Sequence, residues 1–411
     1  WARLYRTLVG HLPQLPGLDK LSEMPVPRWK RLFTTLSEGG VEVEIYRPSG
    51  KNLEEELSLL EEKLQSADLI FHDYGLMRRN PSVSQDLASR VSRLIREKYQ
   101  PKSHHLLTQD KFYIAKRMEE AGIPIPETME VQEYLEKGRE DKPVVLKHKR
   151  SSLGKGVFYL DRSQIEGLFS AGAEWSPEQK SLLMTYLGTP TFLGRLVNTI
   201  RYKSLEARIQ REIRSRLNPK NYFVQEFIET PSDRFTSYRI FTVGGEILGC
   251  VINASGQTKA DAMAGNGWTK EFYQSLAGAV NTHPIVSNYS AGGVQIEVFP
   301  RYYGRLNERN QQILRDHGID PEARDIPKPL KELTQLVGRE LTKYGIVIAG
   351  QDWLQDTKGD FYFLEANPSP GLNIFRTLFF GGRNTEGRYL QFAASQIASA
   401  LQRYTPPTLT K

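Results

Sequence analysis

Apolar residues recur along this chain at two spacings, one fitting strands and one fitting helices, and their alternation predicts a mixed α/β protein. Val41-Glu42-Val43-Glu44-Ile45-Tyr46 alternates as a half-buried strand does. Leu53, Leu57, Leu60 and Leu64 fall on one face of a helix. Residues 67–73 read as a buried strand and 83–99 as a second helix. That strand-helix order favours a parallel sheet in an N-terminal domain. A helix opens at Thr108-Gln109-Asp110-Lys111-Phe112 and is stopped by Gly122, Pro124 and Pro126. Residues 142–147 form a strand, 150–156 a flexible loop, and a strand resumes at Val157. The stretch 163–221 reads as helical and polar. Strands follow at 222–228, 237–243 and 246–252, the last two joined by a Gly244-Gly245 hairpin turn. Residues 330–344 have helical spacing. Two further strands, Gln351-Asp352-Trp353-Leu354 and Phe361-Tyr362-Phe363-Leu364, are joined by the turn Asp356-Thr357-Lys358-Gly359-Asp360. A closing helix is expected from about Thr385.

The length of 411 residues exceeds that of one ordinary domain. Three are expected, over 1–108, 109–228 and 229–411. With 39% apolar and 25% charged residues the composition is that of a soluble globular protein. No apolar run reaches the roughly 18 residues of a membrane span, and the first residues lack the apolar core of a signal peptide. The lone Cys250 excludes intrachain disulfides and Cys-rich zinc sites, reads as a core residue, and favours a cytoplasmic location. A net charge of +7 admits nucleic acid. However, the basic clusters at 147–150 and 208–216 do not alternate with aromatics as single-strand binders do, which argues against nucleic acid as a partner. Oligomeric state is not legible.

The chemistry concentrates near the C-terminus. Folding the last hairpin brings Asp352 beside Glu365, and Asn367 points to the same side of its strand. Two carboxylates and an amide oxygen make a hard, all-oxygen site suited to Mg²⁺ that is also held by nucleotide phosphates. Ser151, Ser152, Gly154 and Gly156 fit a loop that covers phosphates with small side chains and backbone N–H groups. Lys147 ends an apolar strand and needs a counter-anion such as a phosphate; Lys111 has a weaker claim of the same kind. Neither GxxxxGK[ST] nor a strand-to-helix GxGxxG is present, which argues against a P-loop and a dinucleotide-binding Rossmann site. None of the 7 histidines has a catalytic claim; His104-His105 reads as a surface pair.

Taken in order, these residues resemble the ATP-grasp ligases, and within them the RimK-type glutamate ligases and glutathione synthetase-like enzymes, over roughly residues 105–375. Asp110-Lys111 with Ala121 to Pro126 looks like that family's opening segment, and Lys147 with the loop through Gly156 looks like its central lysine and glycine loop. Gln225-Glu226-Phe227-Ile228 resembles the hinge that binds adenine through backbone groups. Arg239 resembles the arginine that contacts phosphate or substrate carboxylate. Ser287-Asn288 and Gly292-Gly293 resemble the segment near the γ-phosphate, and Asp352, Glu365 and Asn367 fall on the magnesium ligands. Ser237 stands where RimK-type enzymes often carry aspartate, leaving Asp233 to contact the ribose, and Val286 replaces a basic residue before Ser-Asn. The resemblance implies an ATP-grasp fold behind a Rossmann-like N-terminal domain, with ATP and Mg²⁺ (or Mn²⁺) as cofactors. It further implies ligation of a carboxylate to an amine through an acylphosphate, with Arg239 and Lys147 catalytic and an amino acid, a peptide or a protein as acceptor. An ATP-grasp kinase acting on a small hydroxyl substrate, and a non-catalytic ATP-binding regulator, are the alternatives. The segments 163–221 and 297–327 are longer than compact members need.

Overall fold

The computed structural model describes residues 4–9, 27–46, 52–72, 85–100, 103–105, 110–137, 144–150, 157–160, 162–169, 218–255, 258–259, 294–299, 307–322, 325–370, 372–380 and 388–406. The first segments hold β1 (Leu4–Val9), α1 (Pro27–Glu38), β2 (Val41–Tyr46), α2 (Leu53–Ser66), β3 (Leu69–His72), α3 (Gln85–Leu94) and β4 (Ser103–His105). Their sheet runs β2-β1-β3-β4. Only β3 and β4 pair in parallel; β1 is antiparallel to both of its neighbours. The expected parallel sheet is therefore corrected to a mixed one. β2 and β3 do run the same way, as their helical crossover requires, but β1 lies between them. Its Leu-Tyr-Arg-Thr-Leu-Val run lacks the clean polar alternation that marked β2. Leu60 and Leu64 of α2 meet Ile70 of β3 and Leu87 and Val91 of α3 in one apolar cluster.

The next segments are α4 (Lys111–Glu120), β5 (Thr128–Glu130), α5 (Val131–Lys137), β6 (Val144–His148), β7 (Val157–Leu160), α6 (Arg162–Phe169) and β8 (Tyr222–Glu226). The sheet order is β5-β8-β6-β7, antiparallel throughout. Asp110 caps α4, its carboxylate accepting the N–H groups of Phe112 and Tyr113 at 3.1 and 3.2 Å. Most of the predicted polar helical stretch, 170–217, lies outside the described residues.

A third sheet, order β11-β10-β9-β12-β13, is built from β9 (Thr236–Val243), β10 (Glu246–Ala254), β11 (Val294–Phe299), β12 (Ile348–Gln355) and β13 (Phe361–Asn367). α7 (Glu308–Asp316) and α8 (Lys328–Thr342) precede β12, and α9 (Asn373–Phe380) and α10 (Arg388–Arg403) follow β13. One face packs Tyr238, Ile240, Cys250, Ile252 and Trp353 on Leu314 of α7 and on Leu330, Val337 and Leu341 of α8. Cys250 is the buried core residue expected. On the other face, Phe241, Val243, Val251 and Ile348 meet Phe375 and Leu378 of α9, Ile397 of α10, and Phe33 of α1 with Phe71 of β3. The remainder of that second face is polar. α8 crosses the β9–β10 turn closely enough that a Cβ on Gly338 would lie 2.4 Å from the Cα of Gly245. Gly244 and Gly245 both take positive φ, +56° and +93°, which glycine alone adopts at no cost.

His104 corrects the expectation of a surface pair. It is fully buried. Its Nδ1 accepts the N–H groups of Val347 and Ile348 at 3.2 and 3.3 Å, so Nε2 carries the proton and donates to the Pro368 carbonyl at 2.9 Å. Two adjacent histidines show no periodicity, yet alternate strand residues face opposite ways and one of them turns inward. His104 thus ties β4 to both ends of the β12–β13 hairpin. His104→Ala is expected to lose about 1–3 kcal/mol of stability by stripping partners from buried backbone groups, measured by urea unfolding.

Candidate active site

The β12–β13 hairpin closes as its sequence requires. Gly359 has φ +95°, and the Asp356 carboxylate accepts the N–H groups of Lys358 and Asp360, both at 2.9 Å. The register sets Asp352 opposite Glu365 and Gly350 opposite Asn367, so all three expected metal ligands share one face. A bulge follows: Trp353 pairs with Phe363, passing over Leu364. This shift lets Glu365 face the polar side while Phe363 enters the core under the sheet.

Both carboxylates hold cations. Arg239, opposite Asp352 on β9, grips it with two parallel hydrogen bonds, Nε to Oδ1 at 2.7 Å and Nη2 to Oδ2 at 2.6 Å. Lys111, first residue of α4, places Nζ 2.5 Å from Oε2 of Glu365. Asn367 accepts the Ser369 N–H at 2.9 Å through Oδ1, which turns the chain and leaves that oxygen a second lone pair. Burial pushes the Asp352 carboxyl above its usual range against the pull of Arg239. Burial acts the same way on Glu365, but Lys111 and Lys147 outweigh it and hold that carboxyl low. Arg239 is charged, since Asp352 more than offsets the burial that opposes its charge.

The second sheet meets this cluster through Lys147. Its Nζ donates to Oε1 of Gln225 at 2.5 Å, and Nε2 of the buried Gln225 donates to Oγ1 of Thr128 at 3.0 Å. The N–H of Lys111 donates to the Lys149 carbonyl at 2.9 Å, joining the start of α4 to the end of β6. Burial, and then Lys111, lower the Lys147 ammonium to a pKa of about 8, while Glu365 and Asp352 pull it upward. A phosphate bound beside Lys147 would restore its proton. Phosphate binding is therefore expected to weaken as pH rises through about 8, and ADP binding at pH 8.5 to take up protons. Calorimetry in buffers of differing ionisation enthalpy checks this, with Lys147→Ala showing no uptake from this group.

The remaining expected residues divide. Glu226 ends β8, and the Phe227 ring stacks edge-on against Phe235 at 6.0 Å. Ile228 is buried. Asp233 is exposed in the loop beyond, its carboxylate accepting the Ser232 hydroxyl at 3.3 Å. Ser151, Ser152, Gly154 and Gly156, and likewise Ser287, Asn288, Gly292 and Gly293, lie outside the described residues. Sequence reasoning missed the Gln225 side chain as partner of Lys147. It also missed that Asn253, Gln295 and Glu297 continue the polar face beyond Arg239 and Ser237, with Gln295 and Glu297 alternating with the apolar Val294, Ile296 and Val298 on β11. That period was the available signal.

Among the described residues no three His, Cys, Asp or Glu side chains converge as a metal site. Asp352, Glu365 and Asn367 fit a hard cation whose shell phosphate oxygens would complete. No described helix is long and apolar enough to cross a membrane.

No family model and no curated protein matches the chain. Solved structures similar to it include ATP-grasp ligases. The ATP-grasp ligase PsnB with a minimal precursor is 10% identical over 75% of this chain and 64% of its own, at a TM-score of 0.34. A RimK domain ATP-grasp protein from Sphaerobacter thermophilus is 16% identical over 72% of this chain and 67% of that one, at 0.33. The macrocyclase MdnC, bound with precursor peptide MdnA from Microcystis aeruginosa, is 14% identical over 97% and 99%, at 0.39. This chain thus spans less than two thirds of PsnB in the first of these structures. PsnB has also been seen with Mg and ADP.

Proposed function

We propose that this chain is an ATP- and Mg²⁺-dependent ligase that joins a carboxylate to an amine through an acylphosphate. The observation that carries the reading is the pair Asp352 and Glu365, set opposite each other in register, each holding a cation and both acting on Lys147. Two acids and three cations, in a half-buried place between two sheets, suit a polyanion that arrives with a metal ion.

The chemistry asks for charge rather than for a protein nucleophile. An oxygen of the substrate carboxylate attacks the γ-phosphorus while the bond to the β–γ bridging oxygen breaks, giving ADP and an acylphosphate. The amine nitrogen then attacks the acyl carbon, loses a proton, and phosphate departs with its bonding pair. Lys111 and Lys147 offset charge on the phosphates, and Arg239 does so at the transferring group. Asp352 keeps the guanidinium plane fixed, so no reorientation is needed as charge moves. Mg²⁺ held by Asp352, Glu365 and Asn367 would neutralise phosphate oxygens and align them for in-line transfer.

The test is ATP turnover with Mg²⁺ across pools of amino acids and peptides, with mass spectrometry of the products. ADP, phosphate and a product lighter by one water than its two substrates support the ligase. A product that gains phosphate moves the case to a kinase, and failure to bind Mg·ATP overturns the reading.

A further inference from the structure

The polar half of the β9–β13 face continues past Arg239. Ser237 pairs with Asn253 and Asn253 with Gln295, while Arg239 pairs with Val251 and Val251 with Glu297. By strand alternation these side chains share the face that carries Asp352 and Glu365. Across the sheet the order is Glu365 on β13, Asp352 on β12, Arg239 on β9, Asn253 on β10 and Gln295 on β11.

Asn253 is fully buried, and its Nδ2 has no hydrogen-bond partner among the described residues. A chain of bonds sets its orientation. Thr377 Oγ1 of α9 donates to Gln295 Oε1 at 2.9 Å, and Gln295 Nε2 donates to Asn253 Oδ1 at 3.2 Å. With its oxygen drawn toward β11, the amide turns its N–H groups the other way, over β9, where Arg239 and Ser237 stand. A buried donor without a partner is costly to keep.

We propose that Asn253 Nδ2 donates to the substrate carboxylate and, with the Arg239 guanidinium, forms the subsite that holds that carboxylate for phosphorylation. This rests on the ligase reading above. A donor beside a fixed cation selects an anionic acceptor. The nucleotide phosphates belong to the β12–β13 side, with Asp352, Glu365, Lys111 and Lys147, so the anion on the β10 side is the other substrate. Arg239 lies between the two, where phosphoryl transfer from one to the other would pass.

The test uses the full chain with ¹⁵N-labelled asparagine, saturated with Mg²⁺ and a non-hydrolysable ATP analogue and titrated with acetate against sodium chloride of equal ionic strength. The Asn253 amide pair is identified by its loss in Asn253→Ser. Acetate, and not chloride, is expected to shift that pair. Asn253→Asp, which puts a repelling acceptor there, should weaken acetate binding at least tenfold. Analogue binding with the Asn253 pair unmoved by acetate overturns the subsite and leaves the ligase reading standing. Failure of the analogue to bind in the unsubstituted chain overturns both.

Discussion

Replacing Glu365 with glutamine is expected to lower ATP turnover by about 10²–10³-fold while the protein stays folded. Glutamine keeps the shape and an oxygen for Lys111 but removes one of the two carboxylate charges opposed across β12 and β13. In the proposed reaction the loss falls on the step in which charge moves onto the transferring phosphoryl group, so it should appear in kcat. The variant should also lose most of the Mg²⁺ dependence of nucleotide affinity, which reports on the site without any knowledge of the substrate. Steady-state ADP release and calorimetry at varied Mg²⁺ make the comparison. Near-normal values in both would remove Glu365 from the site.

The second large effect belongs to the opposite face of the same strand. Trp353→Ala is expected to cost about 3–5 kcal/mol of stability. The indole is fully buried, its ring 5.4 Å from that of Phe363 and its Nε1 donating to Gln351 Oε1 at 3.2 Å. Truncation leaves a cavity among residues of β9, β12, β13 and α8 that cannot all close in. Trp353→Phe should restore much of the loss. Because Trp353 follows Asp352 directly at the bulge, the alanine variant should also weaken Mg-dependent nucleotide binding in the folded protein. Urea unfolding separates the two effects, and a loss below about 1 kcal/mol would show the core to be more adaptable than its burial implies.

The hairpin was legible because Asp356–Asp360 has turn chemistry and the strands on either side have strong β propensity. From that alone Asp352, Glu365 and Asn367 reached one face. The bulge at Leu364 was not legible, since Phe-Leu-Glu reads as plain alternation. The partners of the two acids escaped for another reason: Arg239 and Lys111 lie more than a hundred positions away in sequence, and no local pattern reports so distant a contact. Gln225 was expected to serve through its backbone, and its side chain became visible only when β6 and β8 were paired. His104 failed as a surface residue because burial of a polar ring is decided by the backbone groups it meets.

The bulge at Leu364 also divides the hairpin into two reading frames. The tip is indexed by Trp353, Phe361 and Phe363, whereas the base is indexed by Asp352, Glu365 and Asn367. An epitope tag or a split point in the exposed tip, between Thr357 and Asp360, would leave both frames intact. Deleting Leu364 would join Phe363 directly to Glu365, so plain alternation would keep Phe363 in the core and Glu365 on the polar face, whereas deleting Ala366 would turn Asn367 away from the face of Glu365. Length is thus tolerated at the tip and at the bulge, and not inside the base frame that aligns Asp352, Glu365 and Asn367.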